Sequence, residues 1–142
     1  TDFLREEGID VEGVEPTVAF LEEARRRYPR STFQNGRAEQ LNARDSSLGG
    51  ILAWFSLIHT PPQSIDEAFA EFARCIKPGG GLAVGFFSGA DGEPFDHAIT
   101  TAYYWSVDGL TKHLLGAGFT VLDSQVRSMS GERPQGKIIA QR

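Results

Sequence analysis

The apolar positions change period several times along the chain, and each change marks an element. Asp2 to Glu7 reads as the end of a helix stopped by Gly8. Ile9, Val11 and Gly13 alternate with Asp10 and Glu12, a period of two that predicts a short strand over 9–14, with Glu15 at its end. Pro16 and Thr17 open a helix in which Phe20, Leu21, Ala24 and Tyr28 recur at helical spacing, and Pro29 closes it. Thr32 to Gln34 predicts a strand and Asn35-Gly36 a turn. After a polar loop over 37–47, the run from Gly50 to Ile58 is almost continuously apolar, as expected of a buried central strand turning into His59-Thr60-Pro61-Pro62. Ser64 and Glu67 have the spacing of a capping box, and Ile65, Ala68, Phe69, Phe72 and Ile76 supply the buried stripe of the helix behind it. Pro78 and Gly79 to Gly81 end that helix, and the glycines read as a tight turn into the strand Leu82 to Phe87. Ser88 to Trp105 is rich in Gly, Asp, Pro and aromatic residues and reads as an insertion. Ser106 caps a further helix that turns Val107, Leu110, Leu114 and Ala117 inward and stops at Gly118-Phe119 in a Schellman pattern. Thr120 to Val126 and Lys137 to Gln141 are the last strands, and the connection between them is too short for a crossover helix, so they pair as an antiparallel hairpin.

Alternating helices and strands with short connections predict an α/β fold: one domain over 1–142 with a doubly wound, mostly parallel, Rossmann-like sheet and a C-terminal antiparallel hairpin. Composition adds exclusions. The formal net charge is -5 and the only basic cluster is Arg25 to Arg27, which argues against a nucleic-acid partner. No apolar run reaches the roughly 18 residues of a membrane span, and the N-terminus is neither a signal nor a transit peptide. The single cysteine, Cys75, forms no internal disulfide, reads as a core residue and favours a reducing, cytoplasmic setting. No histidine pair has metal-ligand spacing with a third partner, so no metal is expected.

Ligands of a doubly wound sheet bind at the carboxyl ends of its strands. Those ends are Glu15, the loop 36–39, the segment 54–59, and Phe87 onward. An acid closing an early strand can accept hydrogen bonds from the ribose hydroxyls of an adenosine; a solvated carboxylate before a helix N-terminus is the plainer reading of Glu15. GVEP before a helix, then GRAEQL, LGGILAWFSLIH, IKPGGGLAVGFF and the LLGAGFTV junction together resemble a class I S-adenosylmethionine-dependent methyltransferase over residues 8–142. The resemblance implies S-adenosylmethionine as cofactor, with Glu15 on the ribose, Pro16 near the adenine, the Ala38 N–H on the adenine ring and Glu39 beside it. Ala53, Trp54 and the loop to His59 would border the methionine half. Phe87, His97, Tyr103 and Tyr104 would line a pocket for a small-molecule acceptor, and His59 is the candidate catalytic base.

Two departures from the family stand out. Arg37 occupies a position where many relatives carry an aspartate, and an arginine cannot accept the adenine amino proton, which leaves that task to backbone atoms or Glu39. The family's first strand and its glycine-rich turn are not seen before Gly8. The resemblance places that strand between those at 9–14 and 50–54. Without it their edges are expected to stand unpaired and to favour self-association, and the 142-residue polypeptide alone is expected to bind the cofactor weakly. Two other readings remain open: a non-catalytic methyltransferase-like remnant or interaction module, and a nicotinamide-dependent Rossmann enzyme in which Glu15 does the same ribose work.

Overall fold

The computed structural model describes residues 1–98 and 100–142, which form two compact units, Thr1–Asn42 and Ala43–Arg142. The first holds α1 (Asp2–Glu6), β1 (Glu12–Glu15), α2 (Val18–Arg27) and β2 (Thr32–Asn35). β1 and β2 are parallel, with Glu12 opposite Thr32 and Glu15 opposite Asn35. The strand expected from Ile9 therefore begins three positions later, because β2 offers no partner before Thr32. In α2 only Leu21 is buried, and Phe20 is half exposed, so the helix buries a narrower stripe than its sequence spacing implies.

The second unit contains β3 (Leu48–Trp54), a 3-10 turn (Pro62–Ser64), α3 (Ile65–Cys75), β4 (Ile76–Phe87), β5 (Pro94–Phe95), β6 (Ala102–Tyr103), α4 (Val107–Gly116), β7 (Thr120–Arg127) and β8 (Gln135–Gln141). Its main sheet runs β3-β4-β8-β7. β3 is parallel to β4, β8 is antiparallel to both β4 and β7, and the expected terminal hairpin is present. Phe69, Phe119, Ile65, Leu110, Leu114 and Ile138 are among the fully buried side chains. Each removes apolar surface worth about 1.5–3 kcal/mol from water.

Several expectations change here. β3 is the outermost strand of its sheet among the described residues, not a central one. Ala53 is buried while Leu52 and Trp54 stay about half exposed, so a continuous apolar run has hidden a two-faced strand. β1 pairs only with β2, and β3 only with β4, among the described residues. The Ser64–Glu67 capping box does not form. Ser64 lies in the 3-10 turn and makes no side-chain cap, because its backbone is already near-helical, with φ -105° and ψ 0°. α3 ends at Cys75, and Ile76, read from sequence as part of the helix stripe, belongs to β4 opposite Leu48. α4 follows the sequence closely. Ser106 Oγ accepts from the Gly109 N–H at 2.9 Å. Gly118 takes φ +93° and the Phe119 N–H donates to the Leu114 carbonyl at 2.9 Å, closing the Schellman stop that a β-carbon would strain. No helix among the described residues is long and apolar enough to cross a membrane.

Candidate functional site

The predicted site residues fall on both units. In the first unit Glu15 ends β1 with a half-buried side chain. One carboxylate oxygen accepts the backbone N–H of Thr17 at 2.9 Å, at the entry to α2. This fixes the side chain and leaves the second oxygen without a partner among the described residues, so the carboxylate is both oriented and able to accept from a ribose. Asn35 Nδ2 donates to the carbonyls of Glu15 and Pro16, each at 3.1 Å, which holds the end of β1 against β2. Ala38 sits in the turn closed by the Gln40 N–H on the Arg37 carbonyl at 3.1 Å. Arg37 Nε stands 3.7 Å from a Glu39 oxygen, so the arginine draws on the carboxylate expected to lie beside the adenine.

In the second unit, the chain leaves β3 through Phe55, a non-glycine residue at φ +53°. A bulky residue there costs about 1–3 kcal/mol and persists only where its surroundings hold it. The Phe55 N–H donates to the Gly85 carbonyl at 3.0 Å, and its ring meets Trp54 at 5.6 Å and Phe87 at 5.0 Å. The insertion over 88–105, described except at Ile99, returns alongside this turn. The Tyr103 N–H donates to the Ile58 carbonyl at 2.8 Å, and the Trp105 N–H to the Phe87 carbonyl at 3.0 Å. Sequence reasoning placed Phe87, His97, Tyr103 and Tyr104 in one region, and the structure assembles an aromatic cluster around Phe87. Phe95 lies 5.4 Å from Phe87 and His97 lies 6.1 Å from it, while Tyr104 stacks on Phe95 at 4.2 Å.

His59 and His97 come together here, with ring centroids 5.1 Å apart. His59 Nδ1 lies 2.9 Å from the Thr101 carbonyl. A carbonyl only accepts, so Nδ1 carries the proton and the neutral ring keeps its lone pair on Nε2. His97 Nδ1 is buried with no hydrogen-bond partner among the described residues. A buried polar atom left unpaired costs about 1–3 kcal/mol, and such atoms mark places where something else is expected to bind. His113 lies elsewhere, in α4, paired to Asp66 at 2.7 Å and packed on Trp105.

Phe95 and Arg133 are absent from the residues named for the site from sequence. Arg133 lies in the connection between β7 and β8, yet its guanidinium sits 4.7 Å over the Phe95 ring. Its Nε donates to the Tyr104 hydroxyl at 3.2 Å, and Nη2 to the Asp96 carbonyl at 3.3 Å. No local sequence signal marks this reach across the unit. No group of three or more potential metal ligands occurs among the described residues.

A family model described as a methyltransferase domain matches residues 1–80. No curated protein matches the chain. Solved structures do. An S-adenosylmethionine-dependent methyltransferase from Methanosarcina mazei is 17% identical with a TM-score of 0.89, over 99% of this chain and 85% of its own. The 1,6-didemethyltoxoflavin-N1-methyltransferase of Burkholderia thailandensis, solved with 1,6-didemethyltoxoflavin and S-adenosylhomocysteine bound, is 21% identical with a TM-score of 0.79, over 99% of this chain and 64% of its own. The cyclase SpnF is 20% identical with a TM-score of 0.78, over 99% of this chain and 70% of its own. A cyclase among these neighbours means that the fold alone does not name the reaction.

Proposed function

The chain belongs to the methyltransferase-domain family, and on that premise we propose that it transfers the methyl group of S-adenosylmethionine to a small-molecule acceptor held at the carboxyl ends of β3 and β4. Glu15 binds the ribose, with Pro16, Ala38 and Glu39 toward the adenine. Ala53 and Trp54 border the methionine half. Phe87, His97, Tyr103 and Tyr104 form the acceptor side. The net charge of -5 favours a small acceptor over a nucleic acid. The Burkholderia neighbour, solved with 1,6-didemethyltoxoflavin bound, points the same way.

S-adenosylmethionine supplies a methyl already activated on a sulfonium and leaves as the thioether, so the protein's work is alignment and proton transfer. On this reading His59 Nε2 would take the proton of the O–H or N–H acceptor. The Thr101 carbonyl stabilises the imidazolium that forms, because Nδ1–H remains bonded to it. The observation that carries this reading is the fixed tautomer of His59 beside the unpartnered His97 nitrogen. Replacing His59 with Gln is expected to lower kcat about 100-fold or more, within the range for a lost general base, with S-adenosylhomocysteine affinity unchanged. Equal loss of turnover and affinity makes His59 a cofactor contact and removes it as the base.

A further inference from the structure

We propose that Arg133 and Tyr104 form an anion-recognition element at the rim of the acceptor site, and that the methyl acceptor carries a carboxylate. The proposal rests on the methyl-transfer reading for the word acceptor, but its physical basis is separate.

Arg133 is exposed, yet three contacts hold it in one pose. Phe95 lies under its guanidinium at 4.7 Å, the Tyr104 hydroxyl receives Nε–H at 3.2 Å, and the Asp96 carbonyl receives Nη2–H at 3.3 Å. All three partners are neutral. Arg133 joins no ion pair among the described residues, in a chain whose acids outnumber its basic residues 19 to 14. A guanidinium has five N–H donors, so three remain, in a planar fork that matches a carboxylate. Tyr104 adds to this. Its oxygen accepts from Arg133, so its own O–H stays available to donate. Stacking of Tyr104 on Phe95 at 4.2 Å fixes the ring that carries that hydroxyl. An uncompensated cation held by neutral groups, beside a hydroxyl with a free proton, is preorganised for a planar oxyanion.

The element adjoins the two histidines. Phe95 carries Arg133 on its face, and its ring is 6.3 Å from His97, which is 5.1 Å from His59. Phe87 touches Phe95 and His97. A series of rings thus runs from a fixed cation to a fixed imidazole base. The acceptor it fits is a small, flat molecule with an oxyanion at one end and an ionisable O–H or N–H at the other. An aromatic hydroxy acid is the simplest case.

The test is binding to the full-length protein with S-adenosylhomocysteine present, read by ligand-observed NMR. The probes are a hydroxybenzoate, the corresponding hydroxybenzamide as neutral isostere, and phenyl phosphate as the alternative oxyanion. The carboxylate is expected to bind about tenfold or more tighter than the amide, the size of one charge-assisted hydrogen bond, and tighter than the phosphate ester. Arg133→Gln should abolish that preference, Tyr104→Phe should reduce it, and Arg133→Lys should retain part of it, while the amide's affinity stays put. Arg133 lies on the surface, so unchanged thermal unfolding of its variants separates lost recognition from lost folding. The proposal is overturned if carboxylate and amide bind alike, if neither binds, if the phosphate ester is preferred, or if Arg133→Gln leaves the preference intact. If S-adenosylhomocysteine does not bind but the Arg133-dependent carboxylate preference persists, the anion element stands and the methyl-transfer reading falls.

Discussion

Replacing Gly89 with Ala isolates the packing that positions Tyr104. A β-carbon on Gly89 would stand 2.8 Å from Tyr104 Cγ and 2.9 Å from its Cβ, against 3.4 Å for the start of ordinary contact. The near end of the tyrosine, not a flexible tip, therefore has to move. It has little room: its ring is 4.2 Å from Phe95, its N–H donates to the Glu93 carbonyl at 3.0 Å, and its carbonyl accepts from Gly92 at 2.9 Å. Gly89 is equally fixed, by its N–H on the Trp105 carbonyl at 3.1 Å. Overpacking of this kind costs about 1–3 kcal/mol. For a chain of this length that is a fall in Tm of roughly 3–10 °C. A displacement of several tenths of an ångström also lengthens the 3.2 Å bond from Arg133 to the Tyr104 hydroxyl beyond hydrogen-bond range. Calorimetric unfolding and hydroxybenzoate binding read the two effects together. Gly49→Ala is the control, because its added methyl meets nothing within 4 Å. Wild-type Tm and binding in Gly89→Ala, or an equal loss in the control, would refute the reasoning.

Two further predictions concern the scaffold. Ser106→Ala removes the oxygen that accepts the Gly109 N–H and should destabilise the protein by about 1 kcal/mol in denaturant titration; Ser106→Asp should recover most of it, and no change in either variant would mean that water replaces the cap. The Cys75 thiol is pushed above its ordinary value of 9.0, first by burial and then by Glu71 nearby. Its folded pKa is raised, so the stability of the neutral thiol is fully present below the unfolded pKa and is lost as pH rises through the folded one. Cys75→Ala should flatten the alkaline limb of the stability profile, and wild-type Cys75 should resist thiol reagents until the protein unfolds. Rapid labelling of the native protein, or an unchanged alkaline limb in the variant, would contradict this.

Periodicity made the elements legible, and it failed where long-range pairing overrides local pattern. The run at 50–58 is uniformly apolar, yet Leu52 and Trp54 are half exposed, because a strand's exposure depends on what lies against it and not on its own residues. Ser64 has the composition of a cap but not the backbone angles. The Gly118 stop succeeded because a positive φ is a local demand that glycine meets. In the candidate site, residue types at strand ends pointed to Glu15, His59 and Phe87. The pairing of His59 with His97 and the reach of Arg133 to Phe95 come from the insertion and the β7–β8 connection folding together, and no local spacing encodes that. Phe55 at positive φ carries no sequence mark, since its conformation is imposed by the Gly85 carbonyl and the surrounding rings.

The central claim is that this protein binds the methyl donor through Glu15, and calorimetric titration of the full-length protein with S-adenosylhomocysteine tests it most directly. Saturable one-to-one binding is predicted, weak if the 142-residue polypeptide is titrated alone, and Glu15→Ala should weaken it by about 1.5–3 kcal/mol, the worth of hydrogen bonds to a charged group. Glu15→Gln should fall between the two, since it keeps one acceptor oxygen. No binding by the wild type, or equal binding by Glu15→Ala, would contradict the account.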